Sequence, residues 1–343
     1  MSTGSEIATT SWFQENDPHA RFVALREHLG EQVLGQPALI ERLLVTLLAD
    51  GHMLIEGAPG LAKTTAVKAL AESIAASDHR VQFTPDLLPG DVTGTDVFEP
   101  EKSRFRFEPG PIFHNLVLAD EINRAPAKVQ SALLEAMAER QVTVGRNSHA
   151  LPDLFMVVAT QNPIEQEGTY SLPEAQLDRF LMYVRVEPPS AEIERAVLRL
   201  VGAREFGSSD FTSVEQSVVM QGRPIEQSVI MQARAALRDV HVAPMLEEYI
   251  VQLVVATRDP SPFSDQLSKY VEWGASTRGT IALDRCSRAR AWLEGRDYVT
   301  PEDVHAIAPD VLRHRVLLSY AARADGVSPD DYVNELLRAV PLP

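Results

Sequence analysis

The 343-residue chain contains one cysteine, only 6% aromatic residues and no run of 18 apolar residues. A single thiol, Cys286, can form neither an internal disulfide nor a multi-thiolate metal site, so we expect a reducing, cytoplasmic environment. Its surroundings have the pattern of a helix, which favours a small buried side chain over a reactive one. The first residues show no basic segment followed by an apolar one, so neither export nor a membrane span is predicted.

Positive charge is also scarce. The sequence has 32 Lys and Arg residues against 48 Asp and Glu residues, which gives a formal net charge of −16. This balance opposes binding to a phosphate backbone through counterion release, so nucleic acid is disfavoured as a main partner. Only five of the basic residues are lysines, and one of them, Lys63, follows a glycine-containing loop.

Length and hydrophobic pattern together predict two domains. A single core stops growing at roughly 250–300 residues, and Pro188-Pro189 separates two kinds of pattern. Before this pair, short apolar runs alternate with helical patterns, which indicates an α/β fold with a parallel sheet and helices on both faces. Two helices are expected first, on either side of residues 33–37. The expected strands are residues 52–56, 80–84, 115–120, 154–160 and 181–186.

Behind Pro188-Pro189 the pattern is helical throughout, which predicts a smaller all-α domain. The expected helices are residues 191–201, 226–240, 246–257, 276–293, 301–318 and 330–340. The resulting division is a loose tail over 1–19, an α/β core over 20–187 and a helical domain over 188–343, with a loop near 203–225. Two similar heptapeptides, 215–221 and 226–232, indicate a local duplication from which no function follows.

The most informative stretch joins the first expected strand to a helix through a glycine-containing loop. Phosphate binding needs converging backbone N–H groups, a helix N-terminus, a lysine for the β/γ-phosphate oxygens and a hydroxyl for Mg²⁺. All of these are present, although Ala62 stands where the generic pattern has a second glycine. A purely structural turn is the alternative for this motif alone. The stretch runs Gly57, Ala58, Pro59, Gly60, Leu61, Ala62, Lys63, Thr64, Thr65.

A second motif lies 57 residues beyond Lys63, where a buried strand ends in Asp120 and Glu121. Asp120 can order Mg²⁺ and its waters, and Glu121 can polarise a water for attack on a γ-phosphoryl group. Carboxylate pairs are common at strand ends, so this pair alone does not indicate a nucleotide site. It does so only in combination with Lys63 and Thr64. The combination predicts hydrolysis of a nucleoside triphosphate.

Two further side chains occupy positions that this reaction could use. Asn162 follows the fourth expected strand, where its amide could contact the γ-phosphate or the attacking water. Arg179 precedes the last expected strand within an Asp-Arg-Phe triplet. Taken singly, each of these would be an ordinary loop or surface feature.

Four segments together resemble the MoxR family of AAA+ ATPases, within the helix-2-insert clade. The resemblance spans about residues 20–320, and the alanine before Lys63 is the form that this family uses. It implies a P-loop AAA+ core followed by an α-helical lid domain, with ATP and Mg²⁺ as cofactors. The segments that carry it are residues 57–64, 118–137, 159–163 and 167–180.

The resemblance also implies a role for each candidate residue of the core. Residues 57–64 would be the Walker A loop, with Lys63 on the β/γ-phosphates and Thr64 on Mg²⁺. Asp120 and Glu121 would be the Walker B pair, with Asp120 on the metal side and Glu121 as the catalytic base. Asn162 would be sensor 1.

Three more assignments concern the adenine pocket and the subunit interface. Arg179 would be the arginine finger that reaches the ATP of the neighbouring subunit, which ties activity to ring assembly. Arg278 would be sensor 2, acting on its own or on a neighbour's nucleotide, although the family more often has proline where Thr277 stands. The implied adenine-pocket residues are Val33, Gly35 and Gln36.

Two alternating runs around polar turns predict β-hairpins, one over 97–107 within an insertion at 91–113 and one over 142–151. The clade resemblance implies that such hairpins project toward a ring pore or a substrate. The alternative is that Phe105 and Phe107 are core aromatics on a half-buried hairpin.

The leading hypothesis is an ATP-hydrolysing, chaperone-like ring of identical subunits, a hexamer, that remodels or activates partner proteins. The resemblance suggests clients with a von Willebrand factor type A domain, metal or cofactor insertion, or complex assembly. A nucleic-acid motor is one alternative, against which the net charge argues, as do the acidic neighbours of Lys102, Arg104 and Arg106. A nucleotide-gated scaffold with little turnover is the other alternative.

Overall fold

The computed structural model describes residues 17–163, 168–206 and 224–342. Most of the predicted tail 1–19, most of the predicted loop 203–225 and the heptapeptide 215–221 lie outside these ranges. The tail prediction is wrong at its end, because a helix already begins at Pro18. Asp17 caps this helix by accepting a hydrogen bond from the backbone N–H of His19 at 3.0 Å, and proline is favoured in the first turn.

Strands and helices alternate in the first half of the chain. The helices there are α1 (Pro18–Gln32), α2 (Pro37–Leu48), α3 (Lys63–Glu72), α4 (Pro89–Thr93), α5 (Ala127–Glu139) and α6 (Glu174–Leu177). The strands are β1 (Met53–Glu56), β2 (Ile74–Ala75), β3 (Asp78–Gln82), β4 (Gly94–Glu99), β5 (Arg104–Pro109), β6 (Leu116–Asp120), β7 (Gln141–Val144), β8 (Asn147–Ala150), β9 (Met156–Gln161) and β10 (Met182–Arg185).

Helices dominate the second half. They are α7 (Ala191–Phe206), α8 (Gln227–Ala236), α9 (Pro244–Arg258), α10 (Asp265–Tyr270), α11 (Thr277–Leu293), α12 (Pro301–Leu312), α13 (Tyr320–Ala324) and α14 (Pro329–Ala339). Three short strands lie between them: β11 (Ile225–Glu226), β12 (Val271–Trp273) and β13 (Leu317–Leu318). None of the described helices is long and apolar enough to cross a membrane.

Five strands form one parallel sheet in the order β10-β1-β9-β6-β3. These are the five strands that the sequence predicts, each within two residues of its expected bounds. Alternate side chains of β9 point to opposite faces. Val158 joins an apolar cluster on one face, and Val157 joins another cluster with Leu133 of α5 on the other. The predicted α/β core with two covered faces is confirmed.

The predicted helical lid is confirmed, and the structure adds three short strands to the second half of the chain. Strand β12 pairs antiparallel with β13, and β11 pairs in parallel with β2 of the core. Segments of two or three residues are too short to show a period-2 pattern, so the sequence could not reveal them. Arg234 of α8 also donates to the carbonyl oxygen of Leu47 at 3.0 Å. Part of the chain beyond Pro188 therefore packs on the core, and the boundary at 187/188 stays a prediction.

One apolar cluster runs through both halves of the protein. It includes Phe22 of α1, Leu44 of α2 and Ile55 of β1, and it continues into Leu283 of α11 and Ile307 of α12. Each of these side chains is completely or almost completely buried. The helices of the second half are thus attached to the sheet by a continuous apolar contact.

Both predicted hairpins are present as antiparallel pairs, β4 with β5 and β7 with β8. Phe105 is 69% exposed and lies opposite Phe98, so its interpretation as a core aromatic is wrong. Phe107, further from the turn, is half-buried and stacks on His149 of the second hairpin with 3.8 Å between ring centroids. The first hairpin is therefore anchored at its base and exposed toward its turn.

Candidate functional site

The loop between β1 and α3 has a backbone suited to holding a phosphate. Gly60 has a φ of +83° and Ala62 a φ of +56°, so both lie in the left-handed region. This conformation costs an alanine about 1 kcal/mol, which is why glycine is the more general choice at the position. Residues of this kind can direct successive N–H groups to one side, and α3 presents its positive end directly afterwards, at Lys63.

Lys63 connects two strand ends beneath this loop. Its ammonium donates to the carbonyl oxygen of Gly57, which follows β1, and lies 3.5 Å from the carbonyl oxygen of Gln161 at the end of β9. Both carbonyl groups belong to the carboxyl edge of the sheet. The ammonium is therefore held at the edge where the other candidate groups also emerge.

Asp120 is 4% exposed at the end of β6 and accepts hydrogen bonds from neighbouring strands. Thr160 donates to its Oδ1 at 3.0 Å, and the hydroxyl of Thr64 lies 3.5 Å from the same oxygen. Arg80 of β3 pairs with Oδ2 at 2.6 Å. The sequence did not reveal Arg80 or Thr160 as members of the site, since only strand pairing brings them beside Asp120.

Glu121 follows Asp120 in a left-handed conformation with a φ of +56°. Its backbone N–H donates to the hydroxyl of Thr160 at 3.0 Å. Gln82 of β3 donates to the Glu121 carboxylate at 2.8 Å, and Arg124 donates to the same oxygen at 3.0 Å. The carboxylate that could act as a base is thus restrained from two sides, and Gln82 is another residue that sequence reasoning missed.

A partly buried polar network supports the end of β9, directly before Asn162. Gln161, the preceding residue, donates to Glu56 at 2.9 Å and lies 2.6 Å from the hydroxyl of Tyr183, which in turn donates to Glu56. Burial and the Glu56 carboxylate raise the pKa of Tyr183, so this phenol stays protonated and keeps donating. Asn162 itself is 6% exposed.

These groups converge on one cleft of about 380 Å³ at the carboxyl edge of the sheet. Parallel strands end at the same edge, which explains why loops far apart in sequence meet there. The structure therefore brings together most of the predicted site and adds four residues to it. The cleft residues are Pro59, Gly60, Leu61, Ala62, Lys63, Thr64, Thr65, Arg80, Gln82, Asp120, Glu121, Thr160, Gln161 and Asn162.

A second cavity of about 470 Å³ lies on the other side of the loop, lined by Gly57, Ala58 and Leu61 on the core side. Helices α12 and α14 also line it, among others through Pro309 and Asn334. A nucleotide bound in the cleft could extend its nucleoside part into this space.

The segment predicted for the adenine pocket lies beside this second cavity. Gln36 lies 3.4 Å from the carbonyl oxygen of Glu187, which lines the cavity. Val33 is 2% exposed, and a side chain at Gly35 would meet Ile193, because a Cβ there would lie 2.2 Å from its Cγ2. Val33, Gly35 and Gln36 are not among the residues that line the cavity, and Gln36 contacts Glu187, which does line it.

The two predicted arginines lie elsewhere. Arg179 precedes β10 at the amino edge of the sheet, opposite the phosphate cleft, and donates to the carbonyl oxygen of Leu134 at 2.6 Å. Arg278, near the start of α11, lines the same cavity of about 380 Å³ as Arg179. Among the described residues, none lines both this cavity and the phosphate cleft. The structure therefore brings the two arginines together but separates them from the phosphate cleft of this chain.

A parallel sheet with a phosphate-binding loop after its first strand, a carboxylate pair after its third strand in chain order and a helical lid defines the P-loop nucleotide-binding class. Comparison with known proteins narrows this class. The ATPase family associated with various cellular activities (AAA) matches residues 52–182, and the AAA lid domain matches residues 266–336.

Three relatives that match more than 90% of the chain carry MoxR names. The chain is 45% identical over 312 residues to Chaperone MoxR1 of Mycobacterium tuberculosis, covering 91% of this chain and 79% of that protein. It is 35% identical to Protein MoxR of Methylorubrum extorquens, covering 97% of each. A crystal structure of a candidate ATPase from Cytophaga hutchinsonii has a TM-score of 0.84 at 42% identity, covering 95% of this chain and 96% of that one. The chain belongs to the MoxR family of AAA+ ATPases.

An AAA ATPase binds a nucleotide, usually together with Mg²⁺, and the donors of the cleft fit both. Mg²⁺ prefers oxygen ligands, and the Thr64 hydroxyl and the Asp120 carboxylate present two oxygens 3.5 Å apart. Lys63 and the start of α3 supply positive charge for phosphate oxygens. The residues present are therefore suited to the group that the family implies.

Proposed function

We propose that this protein hydrolyses ATP to ADP and phosphate in a Mg²⁺-dependent reaction. The observation that carries the proposal is the convergence of Lys63, Thr64, Asp120, Glu121 and Asn162 on one cleft. Lys63 and the loop N–H groups would hold the phosphates, and Thr64 and Asp120 would hold the cation. When bound, Mg²⁺ would neutralise charge on the phosphate oxygens.

Glu121 would act as the general base in this reaction. It accepts a proton from the attacking water, whereas Asn162 hydrogen-bonds that water or the γ-phosphate. In the present arrangement Gln82 and Arg124 both donate to the Glu121 carboxylate. A productive step therefore requires the carboxylate to exchange at least one of these bonds for the water.

Arg179 and Arg278 would act on the nucleotide of a neighbouring subunit. The cleft follows the carboxyl ends of the strands, whereas Arg179 precedes the amino end of β10, and a five-residue strand spans about 17 Å. An arginine that serves a neighbour's cleft requires a head-to-tail interface, and repeated interfaces of this kind form a ring when the rotation between subunits closes. We therefore propose a ring of identical subunits, a hexamer, with both arginines acting between subunits.

A role in remodelling or activating partner proteins is the further part of the proposal. It is supported by the name of the relative Chaperone MoxR1 and by the exposed aromatic turn region of the first hairpin. Clients with a von Willebrand factor type A domain and assistance in metal insertion or complex assembly belong to this proposal. A nucleic-acid motor is less well supported, because Lys102, Arg104 and Arg106 all pair with Glu99.

Replacing Lys63 with alanine tests the nucleotide site directly. We expect the affinity for ATP to fall about 10- to 100-fold, since a charged hydrogen-bond donor to phosphate is lost. The matched control is Lys68→Ala in the same helix, where the lysine is exposed and pairs only with Glu72 among the described residues. Isothermal titration with ATP and Mg²⁺ measures both variants. Equal affinity of the two variants would contradict the proposed phosphate site.

The exposed hairpin provides a test of client binding. We expect the double variant Phe98→Ala, Phe105→Ala to bind a permanently unfolded protein, such as reduced and carboxymethylated lactalbumin, at least several-fold more weakly. ATP hydrolysis should change by less than about twofold, because the hairpin contributes no residue to the cleft. Val251 and Val255, exposed on α9, provide the control double variant to alanine. Fluorescence anisotropy of the labelled unfolded protein measures binding, and unchanged affinity would remove the hairpin from the proposal.

A further inference from the structure

Residues 178–181, which include Arg179, are contacted by Arg315 of the lid, and His314 of the lid also lies 3.2 Å from the carbonyl oxygen of Phe180. Arg315, with a side chain only 2% exposed, pairs through its Nε with Asp178 Oδ1 at 2.8 Å. The same guanidinium donates to the backbone carbonyl oxygens of Asp178 at 3.4 Å, Phe180 at 2.7 Å and Leu181 at 3.2 Å. The backbone on both sides of Arg179 is therefore fixed by a side chain outside the segment.

All five N–H donors of the Arg315 guanidinium are used in hydrogen bonds. Its remaining hydrogen bond goes to the carbonyl oxygen of Val311, so the contacts account for five donated bonds. A guanidinium has five N–H donors in a rigid planar arrangement, and a lysine has three on a flexible stem. Burial lowers the pKa of Arg315, and the Asp178 carboxylate opposes this shift. The buried charge is thus stabilised specifically by the segment that carries Arg179.

The other oxygen of the Asp178 carboxylate contacts the start of α11. Ser276 donates from its hydroxyl to Asp178 Oδ2 at 2.9 Å. The same hydroxyl caps the helix by accepting the backbone N–H of Arg278 at 3.1 Å. One carboxylate therefore joins the segment that carries Arg179 to the cap that orients Arg278.

We propose that Asp178 and Arg315 are positioning residues that hold Arg179 and Arg278 as one unit for the nucleotide of the neighbouring subunit. This inference rests on the proposed action of both arginines between subunits. Neither Asp178 nor Arg315 touches the nucleotide; they set the geometry of the two groups that do. Because Arg315 belongs to the lid and Arg179 to the core, the unit also requires the lid to be docked on its own core.

Other contacts between lid and core serve as a comparison. Arg42 pairs with Asp310 at 2.6 Å, and Arg290 pairs with Glu41 at 2.8 Å. These pairs attach α12 and α11 to α2, and they touch neither arginine-bearing segment. If Asp178 only held the two domains together, replacing it would have the same effect on kcat as replacing a member of these pairs.

The inference is tested by measuring kcat and KM for ATP and by mixing subunits. Asp178→Asn removes the charge opposite Arg315, and Arg315→Lys removes two of its five donors. We expect kcat to fall by on the order of tenfold or more for both, with ATP affinity within about twofold of the unmodified protein. Mixing either variant with Lys63→Ala subunits should restore activity, because the Lys63→Ala subunits supply intact arginines.

Controls separate this inference from the proposed function. Asp303→Asn removes a buried lid carboxylate that pairs with Arg290 and Arg296 but lies away from Asp178. We expect it to lower the thermal stability while kcat stays within about twofold. If Arg179→Ala gains activity with Lys63→Ala but Asp178→Asn does not, the positioning role is wrong. If neither gains activity, the proposed action between subunits fails instead.

A milder variant, Ser276→Ala, keeps the inference testable if Asp178→Asn or Arg315→Lys does not fold. Ser276→Ala leaves Arg315 and Asp178 in place and removes the hydroxyl that both contacts Asp178 and caps α11. We expect an intermediate decrease in kcat that is also relieved by mixing with Lys63→Ala subunits. A kcat equal to that of the unmodified protein for this variant would show that the two arginines are not held as one unit.

Discussion

Replacing Glu121 with glutamine is expected to lower kcat for ATP hydrolysis by about 10²- to 10⁴-fold while ATP binding is retained. Glutamine has nearly the same shape as glutamate but cannot accept the proton of the attacking water. Lys63, Thr64 and Asp120 remain to hold the nucleotide and the cation. Phosphate release measures turnover, and titration with ATP measures affinity.

Glu135→Gln is the matched control for this change, since Glu135 is exposed on α5 and away from the cleft. It should leave both quantities within about twofold. If Glu121→Gln keeps the turnover of the unmodified protein, Glu121 is not the base. If a partner protein is activated equally well by Glu121→Gln, the protein acts instead as a nucleotide-gated scaffold, and hydrolysis is not its working step.

The second large effect is expected for Arg179. Alanine at this position should reduce ATP hydrolysis by about 10³-fold, the usual effect of removing an arginine that stabilises phosphoryl transfer. Lys63→Ala should also be inactive but for a different reason, because its own cleft binds ATP weakly and lacks the ammonium group for the β/γ-phosphates. In an equal mixture, a Lys63→Ala subunit can serve the intact cleft of an Arg179→Ala neighbour. We expect about one quarter of the activity of the unmodified ring, since one interface in four combines the two intact parts.

A mixture of Lys63→Ala with Glu121→Gln provides the control for this experiment. Both variants damage the cleft and keep the arginines, so no interface between them is complete and no activity should appear. The same mixture with Arg278→Ala in place of Arg179→Ala decides whether Arg278 also acts between subunits. Activity that does not rise when Arg179→Ala and Lys63→Ala are mixed contradicts the proposed ring mechanism.

The sequence was most informative where the site is contiguous. The loop from Gly57 to Thr65 and the pair Asp120 and Glu121 each combine a strand end with the chemistry that follows it, so order along the chain is sufficient. The five strands could also be predicted from the sequence, because buried parallel strands appear as short apolar runs. The MoxR resemblance, carried by these same segments, was confirmed by the comparisons.

The functional residues that the sequence does not reveal depend on contacts between distant parts of the chain. Arg80 and Gln82 reach Asp120 and Glu121 only because β3 pairs with β6 in a particular register. Pairing register between distant strands leaves no local signal in a single sequence. Arg315 was missed for a related reason: it lies beyond the end of α12, and its contacts depend on how the lid docks on the core.

The continuous apolar cluster between the sheet and the lid restricts the kind of motion that ATP can drive. A hinge that swung the lid away would expose that cluster to water, at about 2.5 kcal/mol for each 100 Å² of apolar surface. Sliding of packed helices over one another keeps the surface covered and needs only small side-chain rearrangements. The continuous cluster therefore favours shear of the lid over the sheet and disfavours opening.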